Sequence, residues 1–129
     1  VVAIAWYLSS FLPGRTAFIH LGAMFGTTMF MNVWMRIWPN QRKIIAATKE
    51  GKAPDADLVA LAGLRSKHNT YMSVPLIFTM VSNHFPVVYG FSLNGTRLDW
   101  VLLVVLVIIG WLVTKWLYMK SATDAPKQF

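Results

Sequence analysis

Two groups of polar residues stand inside apolar sequence, and each has the makings of a site. Asn32, Arg36 and Asn40 recur at i, i+4 and i+8, while Arg65, His68, Asn69 and Met72 recur at i, i+3, i+4 and i+7. On helices, each set occupies one face. If the two faces meet, two guanidiniums, an imidazole and three carboxamides converge. Such a set can hold a planar anion through charge-assisted and bidentate hydrogen bonds. The alternative is that the arginines snorkel to lipid phosphate while the asparagines bond between helices.

The second group is His20 and His84. Each lies a few residues from the same end of its apolar stretch, roughly 7–9 Å deep at the helical rise. Two histidines at one depth on neighbouring helices suit bis-histidine ligation of haem b. Gly22 and Gly26 form a GxxxG that gives a flat macrocycle room to approach. The alternative is that both histidines bond to carbonyls and the glycines serve helix packing. His68 cannot join this pair, because sixteen residues of helix, about 24 Å, separate it from His84.

The elements that must position these residues follow from hydropathy. Three stretches are long enough to cross a bilayer: residues 16–38, 69–89 and 98–119. The opening residues 1–12 are too short to span alone and are expected to be the end of a helix that starts upstream, or an interfacial helix. The chain begins with Val1 and shows no basic region before its first apolar stretch, so no cleavable signal peptide is expected. Residues 39–68 have apolar positions at helical spacing, a break at Gly51–Pro54, and Asp55 or Asp57 as an N-cap. Pro39 predicts a kink, and the polar tail after Met119 predicts fraying. The expected fold is an all-α integral membrane protein in one domain, residues 1–129. It is an antiparallel bundle of three complete transmembrane helices and a partial one, with a helical cytoplasmic hairpin over 39–68.

Composition agrees with that fold. The 129 residues are 56% hydrophobic and 13% charged, about half the charge of a soluble domain. The net charge of +7 points to membrane topology rather than nucleic acid, because the basic residues flank apolar runs. Of the 12 Lys and Arg residues, only Arg15 and Arg97 fall on the side opposite the 39–68 connection. The connection and the C-terminus are therefore expected in the cytoplasm. The absence of cysteine excludes disulfides, thiolate metal sites and a covalently attached c-type haem in this chain. No nucleotide loop, Ser/His/Asp set or zinc spacing is present, and the methionines at 24, 31 and 35 read as packing rather than copper ligands.

The motifs resemble a known family. "FIHLGAMFGTTMFMNVWMRIWPNQRKIIAA", then "APDADLVALAGLRSKHNTYMSVPLIFTMVSNHFPVVYG", is similar to the second half of the membrane domain of bacterial urate hydroxylase, the urate oxidase N-terminal domain family. The residues that carry the resemblance are His20-Leu21-Gly22-Ala23, Asn32, Pro39-Asn40-Gln41, Arg65, His68-Asn69-x-Tyr71 and Ser82-Asn83-His84-Phe85-Pro86. It covers about residues 16–116. It implies a redox membrane fold, urate as a candidate ligand of the inner residues, and electron transfer to haem. The first half of that membrane domain and its cytochrome c domain have no counterpart in this sequence. The expected role is therefore an accessory transmembrane subunit of a photosynthetic or respiratory complex, bound to lipid and to other transmembrane subunits. The alternative is a part of a urate-oxidising enzyme.

The charge asymmetry predicts a labelling pattern. In intact cells, a membrane-impermeant thiol reagent should label Asn94→Cys and spare Ala46→Cys. Ready labelling at 46 with protection at 94 would reverse the orientation.

Overall fold

The computed structural model describes residues 1–124, with side chains to residue 121; most of the polar tail, including Lys127, lies outside the described residues. The elements run α1 (Val2–Phe11), α2 (Gly14–Asn32), a π turn (Val33–Ile37), α3 (Trp38–Lys49), α4 (Ala56–Val81), a 3-10 turn (Ser82–His84), α5 (Pro86–Tyr89), β1 (Ser92–Leu93), β2 (Thr96–Arg97) and α6 (Asp99–Asp124). The described chain is mostly helical, as its hydropathy pattern requires.

Proline sets most of the boundaries. Leu12 is extended, with φ −100° and ψ 148°, because the ring of Pro13 disfavours a helical residue before it. Pro39 has no N–H to donate and its ring crowds the carbonyl four residues back. The helix accommodates it with a π turn just upstream, where the Trp38 N–H reaches the Val33 carbonyl. The kink expected at Pro39 thus takes the form of a widened turn between α2 and α3. After α3, Gly51 adopts φ +69° and α4 begins beyond Asp55, whose side chain accepts from the Asp57 N–H at 2.9 Å. That is an ordinary N-cap.

One expectation needs correction: the stretch 69–89 is not one helix. α4 ends at Val81, and Phe85 turns to extended backbone before Pro86. Ser82 Oγ and Asn83 Nδ2 both donate to the Thr79 carbonyl, at 3.0 and 2.7 Å, so side chains compete with the helix ladder there. One described helix, over Asp99–Ser121, is by itself long and apolar enough to cross a membrane. α2 is diluted by Thr16, His20, Thr27 and Thr28, and α4 carries the polar Arg65–Asn69 stretch midway along its length. α6 continues to Asp124, so the start of the tail is helical rather than frayed.

The chain between α5 and α6 has no element assigned by hydropathy. It is a two-stranded hairpin pairing Ser92 with Arg97 and Leu93 with Thr96. Asn94 and Gly95 take φ 51° and 80°, the two left-handed positions of the tight turn that Asn-Gly favours.

α4 packs antiparallel against both α2 and α6, and α1 lies against α2 and α6. Gly22 lets α2 approach α4 closely: a Cβ there would stand 2.5 Å from Thr79 Oγ1 and 2.6 Å from Met80 Cε. Gly110 does the same for α6, facing Val74 and Pro75. The core is formed by Ala5, Phe18, Leu21, Phe25, Leu103 and Val107, with Met72, Leu76 and Phe78 of α4 packed against it.

Gly22 and Gly63 should therefore respond oppositely to alanine. Gly22→Ala must push Thr79 aside and should destabilise by about 1–3 kcal/mol. Gly63, with open space around its Cβ position, should gain about 0.5–1 kcal/mol from lost chain entropy and better helix propensity. Thermal unfolding in one detergent checks both; equal effects would disprove the close contact.

Candidate functional site

The core stripe of α2 continues from Phe25 to Thr28 and Asn32, and that of α6 from Leu103 and Val107 to Trp111, by steps of three and four residues. α1 has 10 residues, about 15 Å of helix. It covers the stripes at the end near Arg97, where Ala5 joins the core. At the other end the stripes border an open cleft of about 320 Å³, lined by Thr28, Asn32, Arg65, His68, Tyr71, Met72 and Trp111.

Two carboxamides hold the walls of this cleft. Asn32 Nδ2 donates to Asn69 Oδ1 at 3.0 Å. Asn69 Nδ2 donates to the Met29 carbonyl at 3.1 Å. That carbonyl also accepts the Val33 N–H, so Asn69 grips α2 where the π turn begins. One turn earlier, Arg65 Nε is buried and has no hydrogen-bond partner among the described residues. Tyr71 stacks on Tyr118 with ring centroids 5.9 Å apart, and Lys67 Nζ lies 5.2 Å from the Tyr118 ring centre. The aromatic pair ties α4 to α6 beside the cleft.

The structure brings together Asn32, Arg65, His68 and Asn69 of the expected inner set. Arg36 and Asn40 do not line the cleft. Their i+4 and i+8 spacing assumed an unbroken α-helix, and the π turn changes the angular register beyond Asn32. Arg36 is exposed on that turn, and Asn40 is half-buried in α3.

The outer histidines have a different setting. His20 is exposed, and its Nδ1 lies 2.8 Å from the Thr16 carbonyl. A carbonyl only accepts, so Nδ1 carries the proton and Nε2 is the free lone pair. His84 is exposed on the 3-10 turn. The pairing of Gly22 with Thr79 and Met80 puts His20 within about one helical turn of His84 in depth. Their faces are the difficulty. His20 is two residues, about 200°, round α2 from Gly22. The space beside Gly22 and Gly26 is taken by Thr79, Met80 and Leu76. These residues form a packed helix contact, and they do not fit a haem between α2 and α4.

With the geometry in view, comparison with known proteins is informative. The family model described as urate oxidase N-terminal matches residues 1–129. The chain belongs to the urate oxidase N-terminal family. The match takes in the opening helix and the tail, beyond the 16–116 covered by the motifs. No curated protein and no solved structure matches the chain.

In this family member, sequence reading missed three lining residues, Thr28, Tyr71 and Trp111, because each reads as ordinary span composition. The stripe spacing Leu103, Val107, Trp111 was a signal that Trp111 shares the face of the core. Among the described residues, no group of three or more His, Asp or Glu side chains stands close enough to hold a metal ion.

The Asn32–Asn69 contact yields a direct test. Asn69→Ala leaves two part-buried partners short of a hydrogen bond and should cost about 1–3 kcal/mol. Arg36→Ala, at an exposed position, should stay within about 0.5 kcal/mol of wild type. Thermal unfolding that ranks the two the other way would disprove the role given to the carboxamides.

Proposed function

We propose that this chain is a membrane-embedded helical module that acts as an accessory transmembrane subunit of a larger redox complex, photosynthetic or respiratory. The observation that carries this reading is the open seam: the core stripes of α2 and α6 run on into an open cleft lined by Thr28, Asn32 and Trp111. A stripe built to face a neighbour calls for another helix.

Surface composition supports the same reading. Large apolar side chains are exposed on every long helix, among them Trp6, Trp34, Ile77, Leu112 and Trp116. Soluble monomers rarely expose apolar patches beyond a few hundred Å². The chain exposes 8942 Å², against roughly 6,900 Å² for a compact soluble protein of its mass. In a bilayer that surface meets lipid and neighbouring helices at no such cost. The column α2–α3, the column α4–α5 and α6 then provide three crossings, with α1 as a partial fourth. The Lys/Arg bias puts the α3–α4 hairpin in the cytoplasm.

A second reading is favoured by Arg65. A buried guanidinium nitrogen without a partner is costly, and it stands among Asn32, His68 and Tyr71. A planar oxyanion of the urate class would receive charge-assisted bonds from Arg65 and stack against Trp111 or Tyr71. In this reading the chain is the anion-binding part of a urate-oxidising membrane enzyme. His68 lies at the mouth to exchange a proton with the bound anion. Electrons would leave through a redox partner.

One set of measurements separates the two. After gentle detergent extraction, the chain should co-migrate with larger redox subunits on native gels. A monodisperse, folded monomer would overturn the accessory role. Calorimetric titration with urate then decides the second reading. Saturable binding weakened at least about tenfold by Arg65→Gln, and unchanged by Arg36→Gln, supports it. Absence of binding to both the chain and its complex excludes it.

A further inference from the structure

At the end of the bundle away from the cleft, a small cavity of about 180 Å³ is lined by Trp6, Ser9, Ser10, Arg97, Asp99 and Trp100. Asp99 is the first residue of α6 and only 1% exposed. Its Oδ2 accepts from Arg97 Nη2 at 2.8 Å. Both terminal nitrogens of Arg97 also donate to the Leu12 carbonyl, at 3.3 Å. The other oxygen, Asp99 Oδ1, is buried with no hydrogen-bond partner among the described residues, and so is Ser9 Oγ. Ser9 is 8% exposed.

A buried carboxylate oxygen without a donor is expensive, more so than a missing neutral bond. The cavity therefore calls for a donor at Oδ1 that can also serve the Ser9 hydroxyl. Two indoles flank the same space, and indole faces attract cations. A primary ammonium meets all three demands: it has three N–H donors and a full positive charge. Arg97, whose side chain is 50% exposed, lines the cavity and has five N–H donors, more than its three bonds to Leu12 and Asp99 use. A cation beside an anion, at an end of the bundle with tryptophans of the kind that mark membrane interfaces, describes one headgroup chemistry.

We propose that this cavity holds the ammonium of a phosphoethanolamine group, with its phosphate against Arg97, supplied by phosphatidylethanolamine in the outer half of the bilayer. The ammonium donates to Asp99 Oδ1 and Ser9 Oγ between Trp6 and Trp100. The proposal rests on the membrane reading above and adds a lipid preference to it. Choline headgroups carry the same charge but no N–H, so they cannot make these bonds.

The test is lipid retention by the detergent-purified full chain, read by native mass spectrometry. Phosphatidylethanolamine should be held at least about tenfold more tightly than phosphatidylcholine with the same acyl chains. Ser9→Ala should keep the fold and reduce that preference roughly two- to tenfold. Asp99→Asn, where folded, should abolish it. Soluble glycerophosphoethanolamine that displaces the lipid assigns the site to the headgroup alone; lipid retained against it shows that the acyl chains contribute. Equal retention of the two lipids, or an undiminished preference in both variants, overturns the proposal while leaving the membrane reading intact. A chain that takes up neither lipid and stays folded without detergent overturns both.

Discussion

The register between α2 and α4 is the constraint on which the rest depends. It is fixed at two points about ten residues apart. At one, Gly22 admits Thr79 and Met80 into near contact with the α2 backbone. At the other, Asn32 and Asn69 bond to each other, and Asn69 bonds to the Met29 carbonyl. A glycine contact fixes distance but tolerates sliding, whereas a directional amide pair does not. Together they decide which side chains share a level. Arg65 and His68 reach the cleft because Asn69 is anchored one turn away. His20 is carried to the outside of α2 because Gly22 takes the inside.

The helix interruptions are placed where this register allows them. The π turn begins at the carbonyl that Asn69 grips, so the hydrogen bond supports the backbone at the point where the α ladder loosens. The turn in its turn makes room for Pro39 and rotates Arg36 away from the cleft. On α4, Pro75 is buried beside Gly110, so α6 packs closely against the turn where proline removes a helical N–H.

Much of this was legible in the sequence. Helices and their caps follow from apolar spacing, from Pro13, Pro54 and Pro86, and from Asp55. The inner set Asn32, Arg65, His68 and Asn69 was legible because polar residues in apolar sequence need partners, and these four share a level when two antiparallel helices meet. What failed depended on angle rather than spacing. Arg36 and Asn40 were assigned to the cleft by counting in fours, which a single π turn invalidates. His20 and His84 were paired by depth, and depth does not reveal which face a glycine contact will claim. The hairpin at Asn94-Gly95 was legible by its turn chemistry, but the long apolar runs on either side drew attention from a six-residue motif. Asp99 sits in sequence as a lone acid at the edge of an apolar run, and its partner is Arg97, two residues back.

The two ends of the bundle hold their buried polar groups with different partners. At the Arg97 end, the charge pair is internal to the chain: the guanidinium serves both Asp99 and the Leu12 carbonyl, and so ties the start of α6 to the end of α1. A Cβ at Gly14 would run into the Tyr89 carbonyl and crowd Asp99, which shows how tightly that end is closed. At the cleft end, amides are satisfied in pairs but Arg65 keeps a buried donor unspent, and the cleft is open. The ion pair fixes the start of α6 at one end, and the Asn32–Asn69 pair fixes α2 against α4 at the other. Each end keeps its shape around a buried polar atom that the described residues leave unmatched, Asp99 Oδ1 at one and Arg65 Nε at the other.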